Sequence, residues 1–445
     1  MVVVFWLHAA VTDARNLLYL QKTDGSLFIQ EPYKPASGSR LCCLFKYNSK
    51  TLYMMETGLS YNFPVHTKVY FGVGKLSLLH TLAMPGSKAL LVISNGRSVR
   101  ENGSLDRTCA ELRTAGVDFV LFDKVQANPT KENVEEGAAV AVREGCDFVV
   151  ALGGGSVMDA AKTMAMKATN PGNLWDYAMS GTGGRKPVQN APLPWIAIST
   201  TAGTGSEVDR NGVITNLETN EKLGMFSECA VYAIIDPELM LSVPPRFTVY
   251  QGFDTLFHVL ESYICRTSNL FSDMLQETAI KHVSQWLPVA YKDGSNLEAR
   301  TYMALSSVLG GYAMDTSTCT VEHSIEHAMS AYHEKLPHGA GLLMVSKAYF
   351  SKIISQHVAD ERFVRMAQLM GLTDADRPED FITALEGLKE ACDVTELRMS
   401  DYGIRPEEFD AMAENALTVM ARLSTQDLQP LSHEEIVRIL LESYK

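Results

Sequence analysis

The chain has 445 residues, enough for two domains, and its 46% hydrophobic and 20% charged residues are the proportions of a globular protein with sizeable cores. Lys and Arg number 39 against 52 Asp and Glu, and the resulting charge of −13 argues against nucleic acid or an anionic membrane as the main partner. Eight scattered cysteines without a CxxC spacing fit reduced thiols in a cytoplasmic compartment, and the lack of a long apolar run argues against a membrane span.

Residues 1–53 show no sustained hydrophobic period and are read as an extension of uncertain structure; their apolar start lacks the basic flank and cleavage site of a signal peptide. From Phe63 the pattern becomes regular. A strand from Lys68 runs into a glycine turn, residues 88–94 form a buried strand, and a helix is expected over 98–114. Further strands fall at 118–122 and 147–152, with helices over 131–144 and 156–167. Residues 195–199 continue the sheet, and 213–215 and 233–236 add short strands. Apolar strands alternating with helices specify an α/β domain over 54–242, a doubly wound, Rossmann-like parallel sheet.

Loops at the carboxyl ends of these strands carry a nucleotide signal. After the strand at 88–94 the chain reads Ser94-Asn-Gly-Arg-Ser98. A NAD enzyme places an acid there for the ribose; Asn95, Gly96, Arg97 and Ser98 instead accept a 2′-phosphate, which points to NADP(H), with NAD as the alternative. Gly153, Gly154, Gly155 and Ser156 lie between a strand and a helix, where glycines admit a pyrophosphate and the helix start offers N–H groups; Ser156 and Asp159 have capping-box spacing. The pattern is not GxGxxG, so its weight rests on a second loop, Thr200-Thr-Ala-Gly-Thr-Gly-Ser206, whose hydroxyls and glycines suit phosphate, ribose or nicotinamide.

Asp236-Pro-Glu-Leu-Met-Leu-Ser-Val-Pro-Pro245 marks a boundary. Beyond it helical patterns cover 248–263, 273–290, 296–314, 320–332 and 341–356, and three or four more follow, so that 243–445 reads as an all-α domain. Asp254 and His258 stand four apart and point the same way on their helix. His323 and His327 repeat that spacing, Leu336-Pro337 breaks their helix, and His338 can turn back toward the same point. One carboxylate and three imidazoles from this group suit Fe(II), Zn, Ni, Co or Mn without a thiolate.

These motifs together, Gly-Gly-Gly-Ser-x-x-Asp159, Thr-Thr-Ala-Gly-Thr-Gly-Ser-Glu207, Asp236-Pro-Glu, Gly252-Phe-Asp-x-x-x-His-x-x-Glu261 and the histidines ending in Pro337-His-Gly, resemble the iron-containing (group III) alcohol dehydrogenase family from about Phe63 to the C-terminus. The resemblance implies Asp254, His258, His323 and His338 as metal ligands, with His327 beside the substrate. It implies Gly153 to Ser156, Thr200, Thr201, Thr204 and Lys222 around the cofactor, and an NADPH-using aldehyde or butanol reductase that forms a homodimer. The expected reaction is hydride transfer between NADP(H) and a small primary alcohol or aldehyde, with Fe(II), or else Zn(II), polarising the substrate oxygen. His327 is the candidate for passing the proton to solvent and Glu261 for orienting a ligand imidazole, while His333 has no assigned role. Three rivals stand beside this reading. One is a NAD-using diol or glycerol dehydrogenase. Another is a dehydroquinate-synthase-like lyase, whose multiply anionic substrate needs more basic residues than Lys335. The third is a non-catalytic nucleotide-binding protein.

Overall fold

The computed structural model describes residues 61, 63 and 66–445, and three strands nearer the N-terminus: β1 (Val3–Phe5), β2 (Leu18–Thr23) and β3 (Ser26–Gln30). The chain divides into two units, residues 1–60 and 61–445. In the first, the three strands pair antiparallel in the order β1-β2-β3. The rest of the extension expected over 1–53 lies outside the described residues.

The second unit begins with β4 (Lys68–Phe71), β5 (Lys88–Ser94), β6 (Asp118–Val125), β7 (Phe148–Gly153) and β8 (Trp195–Ser199), continues with β9 (Asn211–Asn216) and β10 (Glu221–Phe226), and ends its strands with β11 (Tyr232–Ile235). Six of these form one parallel sheet in the order β4-β11-β8-β7-β5-β6. Helices α1 (Ser98–Glu101), α2 (Ser104–Thr114), α3 (Lys131–Glu144) and α4 (Gly155–Thr169) connect them. A parallel sheet covered on both faces needs apolar side chains at successive positions, and every residue of β7 is buried. Leu90, Val92, Val149 and Ala151 pack with Val134 of α3 and Met158 of α4, while Leu91, Val150, Ile196 and Ile234 pack with Leu105 and Leu112 of α2.

Two local expectations need correction. The helix expected over 98–114 is two helices, because Gly103 takes φ 75°, a left-handed turn that a β-carbon resists. The short strand expected at 213–215 is present as β9 but lies outside the parallel sheet; it pairs antiparallel with β10 in a separate hairpin whose turn places Asn220 at φ 50°. The polar start of β10, Glu221-Lys222, hides that strand from a reading of apolar runs.

After β11, the Asp236 carboxylate accepts N–H bonds from Gly74 and Leu76, both at 3.1 Å, and from Glu238 at 3.2 Å. The boundary turn is thereby tied to the loop after β4, and we propose it, with the line at 242/243, as the division between the two halves. The helical half contains α5 (Pro245–Tyr263), α6 (Leu270–Lys292), α7 (Leu297–Thr316), α8 (Val321–Tyr332) and α9 (His338–Ile354). Four further helices and the single turn Ala421–Ser424 complete it. Nearly all of α5 is buried from Thr248 to Tyr263, as expected of a helix with apolar residues on every side, and it forms the middle of the helical core. No helix among the described residues is long and apolar enough to cross a membrane.

The loop after β8 meets the helical half at Gly205, where φ is +65° and a β-carbon would lie 2.6 Å from the backbone N and Cα of Gly311 on α7. Gly205→Ala is expected to cost about 1–3 kcal/mol from backbone strain alone. Scanning calorimetry should show a clearly lowered unfolding temperature for it and none for Gly224→Ala, whose β-carbon meets nothing within 4 Å.

Candidate metal and cofactor site

Helix α5 presents Asp254 and His258 one turn apart, α8 presents His323, and α9 begins at His338 with Pro337 as its N-cap. Gly339 lets this helix start close to α5, since a β-carbon there would lie 2.7 Å from the Tyr250 carbonyl carbon. Asp254 Oδ1 lies 3.3 Å from His338 Nε2, 3.6 Å from His258 Nε2 and 3.8 Å from His323 Nε2. One donor atom from each of the four lies within 4.8 Å of every other. Asp254 Oδ1 and His323 Nε2 are buried, lack hydrogen-bond partners and face a common point with nothing in the protein to satisfy them. A divalent cation fits that donor set in number, chemistry and direction.

The ring nitrogens facing away from this point are held by carboxylates. His323 Nδ1 donates to Glu261, and His338 Nδ1 donates to Glu326. Carboxylate partners of this kind fix the tautomer and ring orientation of an imidazole ligand. Burial opposes the charge on Asp254, yet the His258 and His338 imidazoles outweigh it and hold that carboxyl well below the usual range. Burial pushes His258 down to about 4. Burial also opposes charge on His323 and His338, but Cys319 and Glu261 lift the first well up, and Glu326 and Asp254 lift the second. His327 is pushed well down by burial and by the Lys222 ammonium, and its Nδ1 has no partner.

A cleft of about 310 Å³ joins this cluster to the carboxyl edge of the sheet. His258, His323, His327 and His338 line it, and so do Gly155, Ser156, Asp159, Thr204 and Lys222. A β-carbon on Gly154 would lie 2.7 Å from Thr201 Oγ1, and one on Gly155 would run into Thr204, so the glycines let the two loops interlock. The Thr200 N–H donates to the Gly153 carbonyl at 3.0 Å. The capping box expected from Ser156 and Asp159 is absent, because the N-cap of α4 is Gly154, two residues before Ser156. Asp159 instead accepts from Ser206 Oγ at 2.5 Å and the Val213 N–H at 3.0 Å, joining the second loop to the hairpin. Asn95, Gly96 and Ser98 sit exposed at the end of β5, next to β7 on the same edge, and do not line the cleft. Lys222 is nearly buried, and its Nζ donates to Ser330 Oγ at 2.9 Å, Asn128 Oδ1 at 3.1 Å and Glu326 Oε2 at 3.3 Å.

Two residues escaped the sequence reading. Glu326 left a signal, since an acid beside His327 on a helix with apolar neighbours must find a partner once buried. Asn128 left none; its side chain also donates to the Glu334 and Leu336 carbonyls, at 3.0 and 3.2 Å, in the turn before His338.

A carboxylate–imidazole cage and a glycine-lined edge of a parallel sheet opening on one cleft define a metal-dependent dehydrogenase that works with NAD(P). Residues 66–237 match the family model described as iron-containing alcohol dehydrogenase, and residues 248–444 match that of the Fe-containing alcohol dehydrogenase family, C-terminal. The chain belongs to the iron-containing alcohol dehydrogenase family. It is 34% identical to 1,3-propanediol dehydrogenase of Klebsiella pneumoniae over 359 residues, covering 78% of this chain and 90% of that one. It is 31% identical to the probable NADH-dependent butanol dehydrogenase 1 of Bacillus subtilis over 392 residues, covering 85% and 97%. Among solved structures, an archaeal halo-thermophilic alcohol dehydrogenase from a Red Sea brine pool superposes with a TM-score of 0.82 at 30% identity, over 86% of this chain and 98% of that one.

The charge states of the cage make a prediction. Glu261 behind His323 and Glu326 behind His338 favour the protonated imidazoles, whereas Asp254 favours its charged form and burial holds a proton off His258. Metal loading must therefore displace protons, and affinity must fall as pH falls. Calorimetric titration of Zn(II) into metal-stripped protein, repeated in buffers of different ionisation enthalpy, should show roughly one to two protons released per ion near pH 7. Uptake with no proton release would contradict these charge states.

Proposed function

We propose that the protein interconverts small primary alcohols and aldehydes with NADP(H) and acts in the cell as an aldehyde reductase. The observation that carries this reading is the shared cleft, lined by the imidazole cluster and the glycine edge alike. Asp254, His258, His323 and His338 hold the ion, Fe(II) or else Zn(II), which when bound polarises the substrate oxygen as a Lewis acid. The nicotinamide supplies the redox chemistry, and the protein supplies orientation and field. Gly153 to Ser156 with Thr200, Thr201 and Thr204 receive the cofactor, and the hydrogen bonds from Glu261 and Glu326 fix the ligand imidazoles. Phe226, Met314, Cys319, Met420 and Leu423 give the cleft apolar walls, which favour a short hydrocarbon chain and exclude water. His327 is neutral with an unpartnered Nδ1 on this cleft, and it moves the proton between the substrate hydroxyl and solvent. The free state of the six described cysteines supports a cytoplasmic setting, and the family resemblance supports a homodimer.

The cofactor preference rests on the turn after β5. It is exposed and contains no acid, and Asp123 on the neighbouring strand is paired with Arg100 at 2.5 Å. A diol substrate with NAD is the second reading. It is favoured by the 34% identity to a 1,3-propanediol dehydrogenase and by the NAD in the name of the NAD-dependent methanol dehydrogenase of Bacillus methanolicus, 31% identical.

Steady-state reduction of butanal and of 3-hydroxypropanal with NADPH and NADH separates the two readings. The first reading expects kcat/KM with NADPH to exceed that with NADH by about tenfold or more, and Gly96→Asp to reverse the order by repelling the 2′-phosphate. A preference for NADH in the unaltered enzyme would overturn it. His327→Ala should lower kcat by about 10²-fold or more with the bound metal retained, as expected for loss of a proton-transfer group. Unchanged kcat would remove His327 from the mechanism.

A further inference from the structure

The Glu261 carboxylate behind His323 is the end of a buried chain of oxygens. Thr320 Oγ1 donates to Glu261 Oε2 at 2.8 Å. Tyr349 OH lies 2.7 Å from Thr320 Oγ1, and Asp427 Oδ1 lies 2.8 Å from Tyr349 OH. The far oxygen, Asp427 Oδ2, accepts the Val321 N–H at 3.0 Å. Glu261, Thr320 and Tyr349 are wholly buried and Asp427 is 2% exposed, so no bulk water enters the chain.

Counting protons gives the chain a direction. Its three oxygen–oxygen contacts need three protons, and the two hydroxyls bring two. The third belongs to a carboxyl at one end. Glu261 already receives the His323 Nδ1–H, the Thr320 N–H at 2.9 Å and the His323 N–H at 3.3 Å besides the Thr320 hydroxyl, the surroundings of an anion. Beyond the chain, Asp427 receives the Val321 N–H on the far oxygen and has its own main-chain N–H beside it, and Arg266 bonds the Asp427 backbone carbonyl rather than the carboxyl. We propose that Asp427 stands as a neutral carboxylic acid donating through Tyr349 and Thr320 toward Glu261, which makes Asp427 and Tyr349 positioning residues for the metal-ligating imidazole of His323. Burial pushing the Asp427 carboxyl up to about 7 agrees with this placement. The inference rests on the reading of His323 as a ligand, and the variants below separate the two.

Asp427→Asn tests the direction, because an amide donates to Tyr349 through its NH₂ while its carbonyl still accepts from Val321. The full-length protein is loaded with Co(II), and its visible absorption and the rate of cobalt loss to excess chelator are followed below each variant's unfolding temperature. Asp427→Asn should keep the wild-type spectrum and lose cobalt within about twofold of the wild-type rate, while Asp427→Ala and Tyr349→Phe should lose it about tenfold faster or more, with altered bands. An Asp427→Asn variant as leaky as Asp427→Ala would show that Asp427 is an anion and overturn the proposal. Three variants all matching wild type would overturn it as well. If Asp427→Ala does not fold, Asp427→Asn against Tyr349→Phe carries the same comparison. Wild-type protein that takes up no cobalt, or a His323→Ala variant that binds it as firmly as wild type, would bring down the ligand reading itself.

Discussion

The rest of the site depends on one buried anion. Asp254 Oδ1 sits among three imidazole nitrogens without a hydrogen bond, in the interior of a helical core. A buried polar atom left unmade costs about 1–3 kcal/mol, and a charged one more. The cage therefore suits a cation, and its surroundings keep the donors aimed at one point. Helix α5 can carry this load because its other faces are apolar and packed, and Glu261 and Glu326 hold two rings from behind. The stability lost at the cage is offset by hydrophobic burial elsewhere on the same helices.

The glycine-lined edge of the sheet obeys a different constraint, close approach of backbones. Gly154 and Gly155 let the loop after β7 nest against Thr201 and Thr204, and Gly205 lets the loop after β8 press on Gly311 of α7. The same short segment thus touches the loop after β7 and the helix layer that carries the cage. Asp159, drawn to Ser206 and Val213, extends this join to the hairpin.

How much was legible follows from how local each feature is. Asp254 with His258 and His323 with His327 were readable because a helix converts a spacing of four into a shared direction, and the glycine loops were readable because backbone approach demands glycine at particular places. The capping box failed because the N-cap falls two residues early, at Gly154, and Asp159 has longer-range partners. The β10 strand was hidden by its polar start, and the break at Gly103 by an apolar period that runs through it. Glu326 was visible as a residue but not as a partner. The chain from Glu261 through Thr320 and Tyr349 to Asp427 was beyond reach, since its members are scattered over the helical half and only tertiary packing brings them together.

Lys222 has a mechanical consequence. Its ammonium comes from the hairpin, its acceptors Glu326 and Ser330 from α8, and the ion pair is buried. Removing either partner would leave an unpaired buried ion, at a cost of about 3–5 kcal/mol. The hairpin is therefore tied to α8 at this point, and a change at Glu326 would reach both His338 and the hairpin.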